Sequence, residues 1–370
     1  MKFKCGKLQL ANSLTSVQKA VAQRSTIAAL EGVLINCTED NIELCGYNTE
    51  MGITTSIKAT VQEKGKIVVN GHLLTEIIKK LPSDIVEIES NENLAVKISC
   101  GQSKFELIGI DAKEFPELPD VSQSESFKIP AGILKSMIKQ TIFAVADTDS
   151  KPVHTGTLFD IKNNTLNLVS VDGYRLALRS EPIEESLELK FVVPGKTLKE
   201  VLRILPQSSE NEETVKISAG MRHINFYVGS YKIVSRLLEG EFLDYKTTIP
   251  KNTSPRIKIS TSDFIDSIER VSLLITDRLK SPVRCTFSKN YTKLSCNTLV
   301  GKSNDEIMST SDLTEDIETA FNNKYMLDAL KNTDCDEIEI QVLNSLSPIK
   351  IVPQEGESFL FLVLPVRVRS

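Results

Sequence analysis

The sequence predicts an α+β chain made of three tandem copies of one unit, each placing two helices on antiparallel sheets. Three observations predict it. First, landmarks return at fixed spacing. Gly32, Leu44 and Gly71 recur 124 residues on as Gly156, Leu168 and Gly195, and Leu166 and Gly173 recur 128 residues on as Leu294 and Gly301. Second, the text around them agrees: Gly-Val-Leu-Ile at 32–35 resembles Gly-Thr-Leu-Phe at 156–159, and Ile-Val-Val-Asn-Gly at 67–71 resembles Phe-Val-Val-Pro-Gly at 191–195. Third, every unit alternates one helical period with runs of period two. A repeat this long is a domain rather than a solenoid turn, so the 370 residues divide as 1–122, 123–250 and 251–370.

In the first unit, Phe3 opens a short strand, and Leu10, Leu14, Val17 and Val21 mark a helix face. Alternating segments near 32–37, 41–46 and 51–58 follow, with turn residues at 39–41. The cycle then restarts at Lys66. Asn70 is placed to cap a helix whose face is Leu74, Ile77, Ile78 and Leu81, stopped by Pro82. Strands near 84–89, 95–99 and 103–109 complete the unit. The same reading gives helices near 131–146 and 196–205 in the second unit, and near 262–276 and 323–332 in the third. Segments rich in Pro, Ser and Asp at 115–122 and 249–255 separate the units. Six short helices and about two dozen strands result.

The composition is that of an ordinary globular protein, 41% hydrophobic and 25% charged. Seven cysteines without a Cys-x-x-Cys pair argue against a disulfide framework or a zinc ribbon. Six of them, at 5, 37, 45, 100, 285 and 296, sit in strand-like runs as small apolar residues, which suits a reducing cytoplasm. No signal peptide is visible, and the longest apolar run, 359–365, is too short to span a bilayer.

The net charge is −5, yet the presumed helices carry Lys19, Arg24, Lys79, Lys80, Lys135, Lys139, Lys196, Lys199 and Arg203. In the third unit Arg270, Lys324 and Lys331 are diluted by Asp263, Asp266 and Glu269. One such face is ordinary solvation. The same helix repeated six times makes a basic surface for sequence-independent phosphate attraction plausible. With 6% aromatic residues and no Trp there is no stacking series for single strands.

Catalytic patterns are missing from the text. His72, His154 and His223 occupy unrelated places in the repeat. Gly301-Lys302-Ser303 ends like a phosphate-binding loop, but Cys296 stands where its first Gly belongs. Asp172 lies at a turn and reads as structural. No metal or cofactor site is expected.

The triplication, the segment Val171-Asp-Gly-Tyr-Arg-Leu-Ala177 and the ending Val363-Leu-Pro-Val-Arg-Val368 together resemble the bacterial DNA polymerase III beta subunit family, the sliding clamps. Met1-Lys-Phe, Phe115-Pro-Glu-Leu and Phe242-Leu-Asp-Tyr fit the same family, and the resemblance covers the whole chain. It implies three DNA-clamp domains and a head-to-tail ring dimer, with helices around double-stranded DNA and strands outside. The implied function is a non-catalytic, cytoplasmic, nucleoid-associated processivity factor. It would tether the replicative polymerase alpha subunit, clamp-loader subunits, repair polymerases and mismatch-repair proteins.

By the resemblance, Arg24, Lys79, Lys80, Lys135, Lys139, Lys196, Lys199 and Arg203 face DNA. Phe105 and Leu107 of one copy meet Leu274 and Ile275 of another. A partner-peptide pocket takes in His154, Gly173, Tyr174, Arg175, Leu176, Leu243, Asn322, Tyr325, Leu346, Leu362, Val363, Leu364, Pro365, Val366 and Arg367, and Arg175 and Arg367 are expected to engage the peptide. Leu243, Thr247, Pro348 and the Arg369-Ser370 extension depart from the family pattern and bear on which peptides are preferred. A protein-interaction scaffold without DNA is the second reading; retention on circular DNA separates the two.

Overall fold

The computed structural model describes residues 1–82, 84–121, 124–148, 151–206, 213–251, 255–276 and 281–367. The ends of the second and third segments border the expected boundary at 122/123, which lies outside the described residues, as do Val368, Arg369 and Ser370. Seven α-helices occur among the described residues: α1 (Lys7–Val17), α2 (Gly71–Lys80), α3 (Ala131–Ile142), α4 (Gly195–Ile204), α5 (Tyr245–Thr248), α6 (Thr261–Val271) and α7 (Asn323–Lys331). The chain forms two compact units, Met1–Lys135 with Lys196–Leu237, and Ser136–Gly195 with Leu238–Ser370.

The first unit holds two antiparallel sheets. One has five strands in the order Thr60–Glu63, Lys2–Gly6, Ile85–Ser90, Ala95–Cys100 and Ser103–Ile108. The other has eight and crosses from the first repeat into the second. Its seam is Met51–Lys58 against Tyr231–Arg236, with Met51 opposite Ser235 and Thr55 opposite Tyr231. The helical faces read from the sequence are buried: Leu10, Leu14 and Val17 of α1, and Leu74, Ile77 and Ile78 of α2. α1 packs on α2 and on the strands Asn41–Tyr47 and Met51–Lys58. Asn70 caps α2 as expected, its Oδ1 accepting the Leu73 N–H at 2.9 Å.

The second unit holds one sheet of twelve strands that joins the second repeat to the third. Its seam is Arg175–Pro182 against Phe359–Val363, with Arg175 opposite Val363 and Arg179 opposite Phe359. Advancing the first seam by the repeat spacings of 124 and 128 residues lands on these pairs. The strands are apolar on both faces near the seam. Ala177, Phe361, Val363, Ile351, Ile340 and Ile257 share a core with Phe264 and Ile268 of α6 and Met326 and Leu330 of α7. On the opposite face Leu176 and Leu362 pack with Val169, Val171, Phe242 and Tyr245.

Several details differ from the sequence reading. α3 stops at Ile142 rather than near 146, because the Ala146 N–H leaves the helical ladder for the His154 carbonyl at 2.9 Å. α6 stops at Val271 and tightens into a 3₁₀ turn, Ser272–Leu274. The seventh helix, α5, is one turn long and too short to show a period. No disulfide joins the seven cysteines, and six of them are buried. Burial pushes the Cys5 and Cys37 thiols up to about 12, as expected of apolar core residues. Gly301-Lys302-Ser303 begins the strand Gly301–Ser311, so no helix N-terminus follows it to hold phosphate.

Candidate functional site

The seam of the second unit brings the two most distinctive stretches of the sequence together. Asp172 makes the turn before the first seam strand: its Oδ1 accepts the N–H groups of Tyr174 (2.9 Å) and Arg175 (3.0 Å), and Gly173 takes φ +86°. The structural role expected of that Asp is what the geometry shows. From the other strand, the Leu364 N–H donates to the Tyr174 carbonyl at 2.9 Å, and the Val366 N–H to the Ala320 carbonyl at 2.7 Å. The ending 363–367 is thereby held across the turn of the 171–177 segment.

Arg175 organises this turn from below. Its side chain is 11% exposed; Nε donates to Asp172 at 2.9 Å and Nη1 to Asp328 at 2.5 Å. The guanidinium lies 4.7 Å from the Tyr325 ring centroid and 5.5 Å from that of Phe143. Tyr325 stacks on Tyr174 with centroids 5.8 Å apart. Burial, and then the Asp172 charge, raise the Tyr325 hydroxyl above its ordinary value. The sequence reading expected Arg175 to engage a peptide. In the structure two carboxylates and two rings surround its guanidinium, and Tyr174 is the exposed side chain of the group.

A second apolar group sits on the outer face. The His154 ring meets Phe242 edge-on at 5.7 Å, and Phe242 and Tyr245 pack with Leu176 and Leu362. The Tyr245 hydroxyl donates to Asp160 at 2.7 Å. Burial, reinforced by that bond, lifts its pKa far above the tyrosine range. Leu362 and Val363 are buried, whereas Leu364 and Val366 remain exposed. A cavity of about 530 Å³ is lined by Ile275, Asn322, Asn323, Lys324, Tyr325 and Val366, among others. Asn322 is there as the cap of α7, its Oδ1 accepting the Lys324 N–H at 2.9 Å. Leu243 and Leu346 are exposed, Leu346 on a turn where the Asn344 side chain accepts its N–H. Pro365 is half-buried and Arg367 exposed.

Sequence reasoning passed over Phe143 and Asp328, and read Phe242 and Tyr245 as marks of the family and not as site residues. Phe242 and Tyr245 did carry a signal, since Phe-x-x-Tyr at 242–245 repeats Phe-x-x-Leu at 115–118.

These features fit the comparisons with known proteins. Models of the DNA polymerase III beta subunit match end to end: the N-terminal domain over 1–119, the central domain over 128–244 and the C-terminal domain over 246–367. The chain belongs to the DNA polymerase III beta subunit family, the sliding clamps. The beta sliding clamp of Staphylococcus epidermidis is 32% identical over 377 aligned positions, with 99% of each chain covered. A solved putative beta subunit from Eubacterium rectale is 35% identical at TM-score 0.93, covering 99% of both chains. The solved sliding clamp of Bacillus subtilis is 32% identical at TM-score 0.94 over the full length of both. The fold is three tandem clamp domains, and the family is one of non-catalytic processivity subunits of DNA replication.

The basic residues of this clamp divide by partner. α4 buries Thr197, Leu198 and Val201 and exposes Lys196, Lys199 and Arg203, a single stripe at spacings of three and four. Lys79 and Lys80 end α2, where cations suit the helix dipole. Lys79 pairs with Glu76 at 3.6 Å and Arg203 with Glu200. The Lys135 amine is turned to the Pro206 carbonyl at 2.7 Å and is only half exposed. Among the described residues, Lys80, Lys139, Lys196, Lys199 and Arg24 have no ion-pair partner. Arg24 is a correction to the helix reading: α1 ends at Val17, a 3₁₀ turn at Ala20, and Arg24 stands in the loop beyond. In the third repeat Arg270 pairs with Asp305 (2.7 Å) and Lys331 with Glu269 (2.5 Å).

Two edges complete the inventory. Ser103–Ile108 is an outer strand of the five-stranded sheet, with Phe105 exposed, Leu107 half-buried and Ile108 89% exposed. Leu274 closes the 3₁₀ turn after α6; it and Ile275 are half-buried. No helix among the described residues is long and apolar enough to cross a membrane, and no group of metal-binding side chains occurs among them.

Proposed function

We propose that two copies of this chain close head to tail into a ring that encircles double-stranded DNA and tethers partner proteins through the cleft at the 175–182/359–363 seam. The observation that carries the ring is the repeated seam. An open edge strand rich in apolar residues is a template for pairing, and Ser103–Ile108 is the repeat counterpart of Tyr231–Arg236 and Phe359–Val363. The counterpart of their partner strands is the first part of Gly301–Ser311, which pairs on one side with Tyr291–Thr298. Continuing the register of the two internal seams sets Ser103 of one copy opposite Ile307 of another, and Leu107 opposite Ser303. Phe105, Leu107, Leu274 and Ile275 would then be covered. Two different patches in contact make a heterologous interface, which closes when the rotation allows. The domains are taken as 1–122, 123–250 and 251–370.

On this reading Arg24, Lys79, Lys80, Lys139, Lys196, Lys199 and Arg203 attract phosphates without reading bases, and Lys135 contributes through the field of its charge. Closure keeps a weakly held polymerase at high local concentration. The partners are the polymerase III alpha subunit, clamp-loader subunits, repair polymerases and mismatch-repair proteins, docking apolar side chains between Tyr174, Tyr325, Leu364 and the His154–Leu176–Leu362 floor. The cytoplasmic nucleoid is where this would occur.

The test is light-scattering mass, then retention after loading on circular DNA. The expected mass is twice the 41.1 kDa of the chain, with retention lost when the DNA is cut. A monomer, or equal retention on linear DNA, overturns the ring. Lys→Glu changes at 79, 80, 196 and 199 together are expected to lower retention at least tenfold with the dimer mass unchanged.

A further inference from the structure

The row of paired residues through the apolar floor does not end at Leu362. In the antiparallel sheet, directly paired residues share a face, and the row through the floor runs Leu176, Leu362, Lys350, Gln341, Arg256. Chemistry changes abruptly along it, from two buried leucines to three polar side chains on the outer face of the third repeat. Two cavities flank this polar part. One of about 180 Å³ is lined by Lys251, Gln341, Leu343, Pro348 and Lys350, among others. The other, of about 370 Å³, is lined by Leu178, Arg256, Glu339, Gln341, Lys350 and Leu360, among others. Gln341 and Lys350 are common to both.

The polar groups are incompletely matched. Glu339 is buried, accepts from the Gln341 amide at 2.5 Å and pairs with Arg256 at 3.6 Å. That leaves Gln341, 7% exposed, with an Oε1 that has no hydrogen-bond partner, where a buried acceptor is ordinarily satisfied. Lys350 and Lys251 have no ion-pair partner among the described residues. Glu357 also lines the larger cavity, whereas the described residues lining the smaller one include Lys251 and Lys350 and no carboxylate, so the positive excess lies there.

We infer that this row is an extension of the peptide cleft, taking the continuation of a bound partner segment with an acidic side chain against Lys350 and a peptide N–H toward the Gln341 acceptor. The inference rests on the peptide-cleft reading above. Strands are spaced about 4.8 Å apart and an extended chain advances about 3.3 Å per residue. An acid roughly two to four residues beyond an anchor over Leu362 therefore reaches Lys350 or Lys251. The extension favours partners whose docking motif is flanked by Asp or Glu, which separates competitors that share the same apolar anchors.

Fluorescence anisotropy with the full-length protein tests this. The probes are a clamp-binding peptide of a polymerase III alpha subunit and versions extended by four residues at either end, containing Glu, Lys or only Gly and Ser. A Glu extension at one end is expected to tighten binding about threefold to tenfold over Gly-Ser, and to lose that gain at high salt. Lys350→Glu is expected to leave the unextended peptide's affinity unchanged and to transfer the preference to the Lys extension. Equal affinities for all extensions with a bound core peptide overturn the extension alone. No binding of the core peptide overturns the cleft reading itself. A preference for Glu that survives Lys350→Glu places the acid elsewhere and also overturns the assignment.

Discussion

The two internal seams are the same joint built twice, framed by different side chains. In the first, Asn48 Oδ1 accepts the N–H groups of Glu50 (3.1 Å) and Met51 (2.8 Å), Thr49 takes φ +72°, and the Arg236 N–H donates to the Glu50 carbonyl at 2.7 Å. In the second, Asp172, Gly173, Tyr174 and Leu364 do the same work. The turn is therefore common to both joints. Side chains make the difference. Where the second seam has Leu176 the first has Gly52, and a Cβ at Gly52 would meet Leu118 Cδ2 at 2.8 Å and Val234 Cγ1 at 2.9 Å. Leu118, from the segment that ends the first repeat, fills the first seam. At the second the counterpart of Leu118 is Tyr245, tied to Asp160, and the counterpart of Thr197 is Tyr325, held by Arg175 and stacked on Tyr174. Thr197 itself makes a close hydroxyl pair with Ser235 at 2.7 Å. Small and aliphatic groups close the first joint; fixed aromatic rings frame the second, where the proposed partner segment would dock.

The sharpest way to break this comparison is to give the second seam the residue of the first. Arg175→Met removes the cation from two carboxylates and two rings, and Asp172 is itself nearly buried. A cost of about 2–4 kcal/mol in chemical denaturation is expected, together with loss of peptide binding by anisotropy. Unchanged stability would mean that Arg175 does not position the turn. Next in size is Gly52→Ala, expected to destabilise by about 1–3 kcal/mol through crowding against Leu118. Adding Leu118→Ala should return part of that loss, whereas simple additivity of the two changes would refute the plug. The smallest effect concerns the two turns. Gly173→Ala should cost about 1 kcal/mol, because a Cβ is disfavoured at positive φ. Thr49→Gly, relieving a β-branched residue in the same conformation, should be neutral or stabilising by under about 1 kcal/mol. Opposite signs in thermal melts sharpen the equivalence of the turns; equal signs break it.

Much of this was legible as text. The repeat spacings that align Gly32 with Gly156 and Leu166 with Leu294 are the ones that carry one seam onto the other, because strands of matching register bury the same alternating faces. The faces of α1 and α2 and the Asn70 cap follow from local rules that need only a few neighbouring residues. The turn at Asp172 was also readable, since its side chain bonds to its own backbone.

The site was legible as a set of residue types and not as an arrangement. Nothing within ten residues of Arg175 says that Asp328 holds it, and nothing near Lys135 says that the Pro206 carbonyl takes its amine. These partners arrive from distant strands and helices. The state of a charge depends on whichever groups the fold delivers within about 4 Å. The sequence by itself determined the repeat, the strand and helix periods and the turns, because those depend on covalent neighbours and on which face is apolar. Only the tertiary structure decided that 171–177 and 363–367 are neighbours, that one seam is plugged by Leu118, and that the row through the apolar floor runs on to Lys350 and Gln341. Each is a pairing between remote segments, selected by burial of both faces at once.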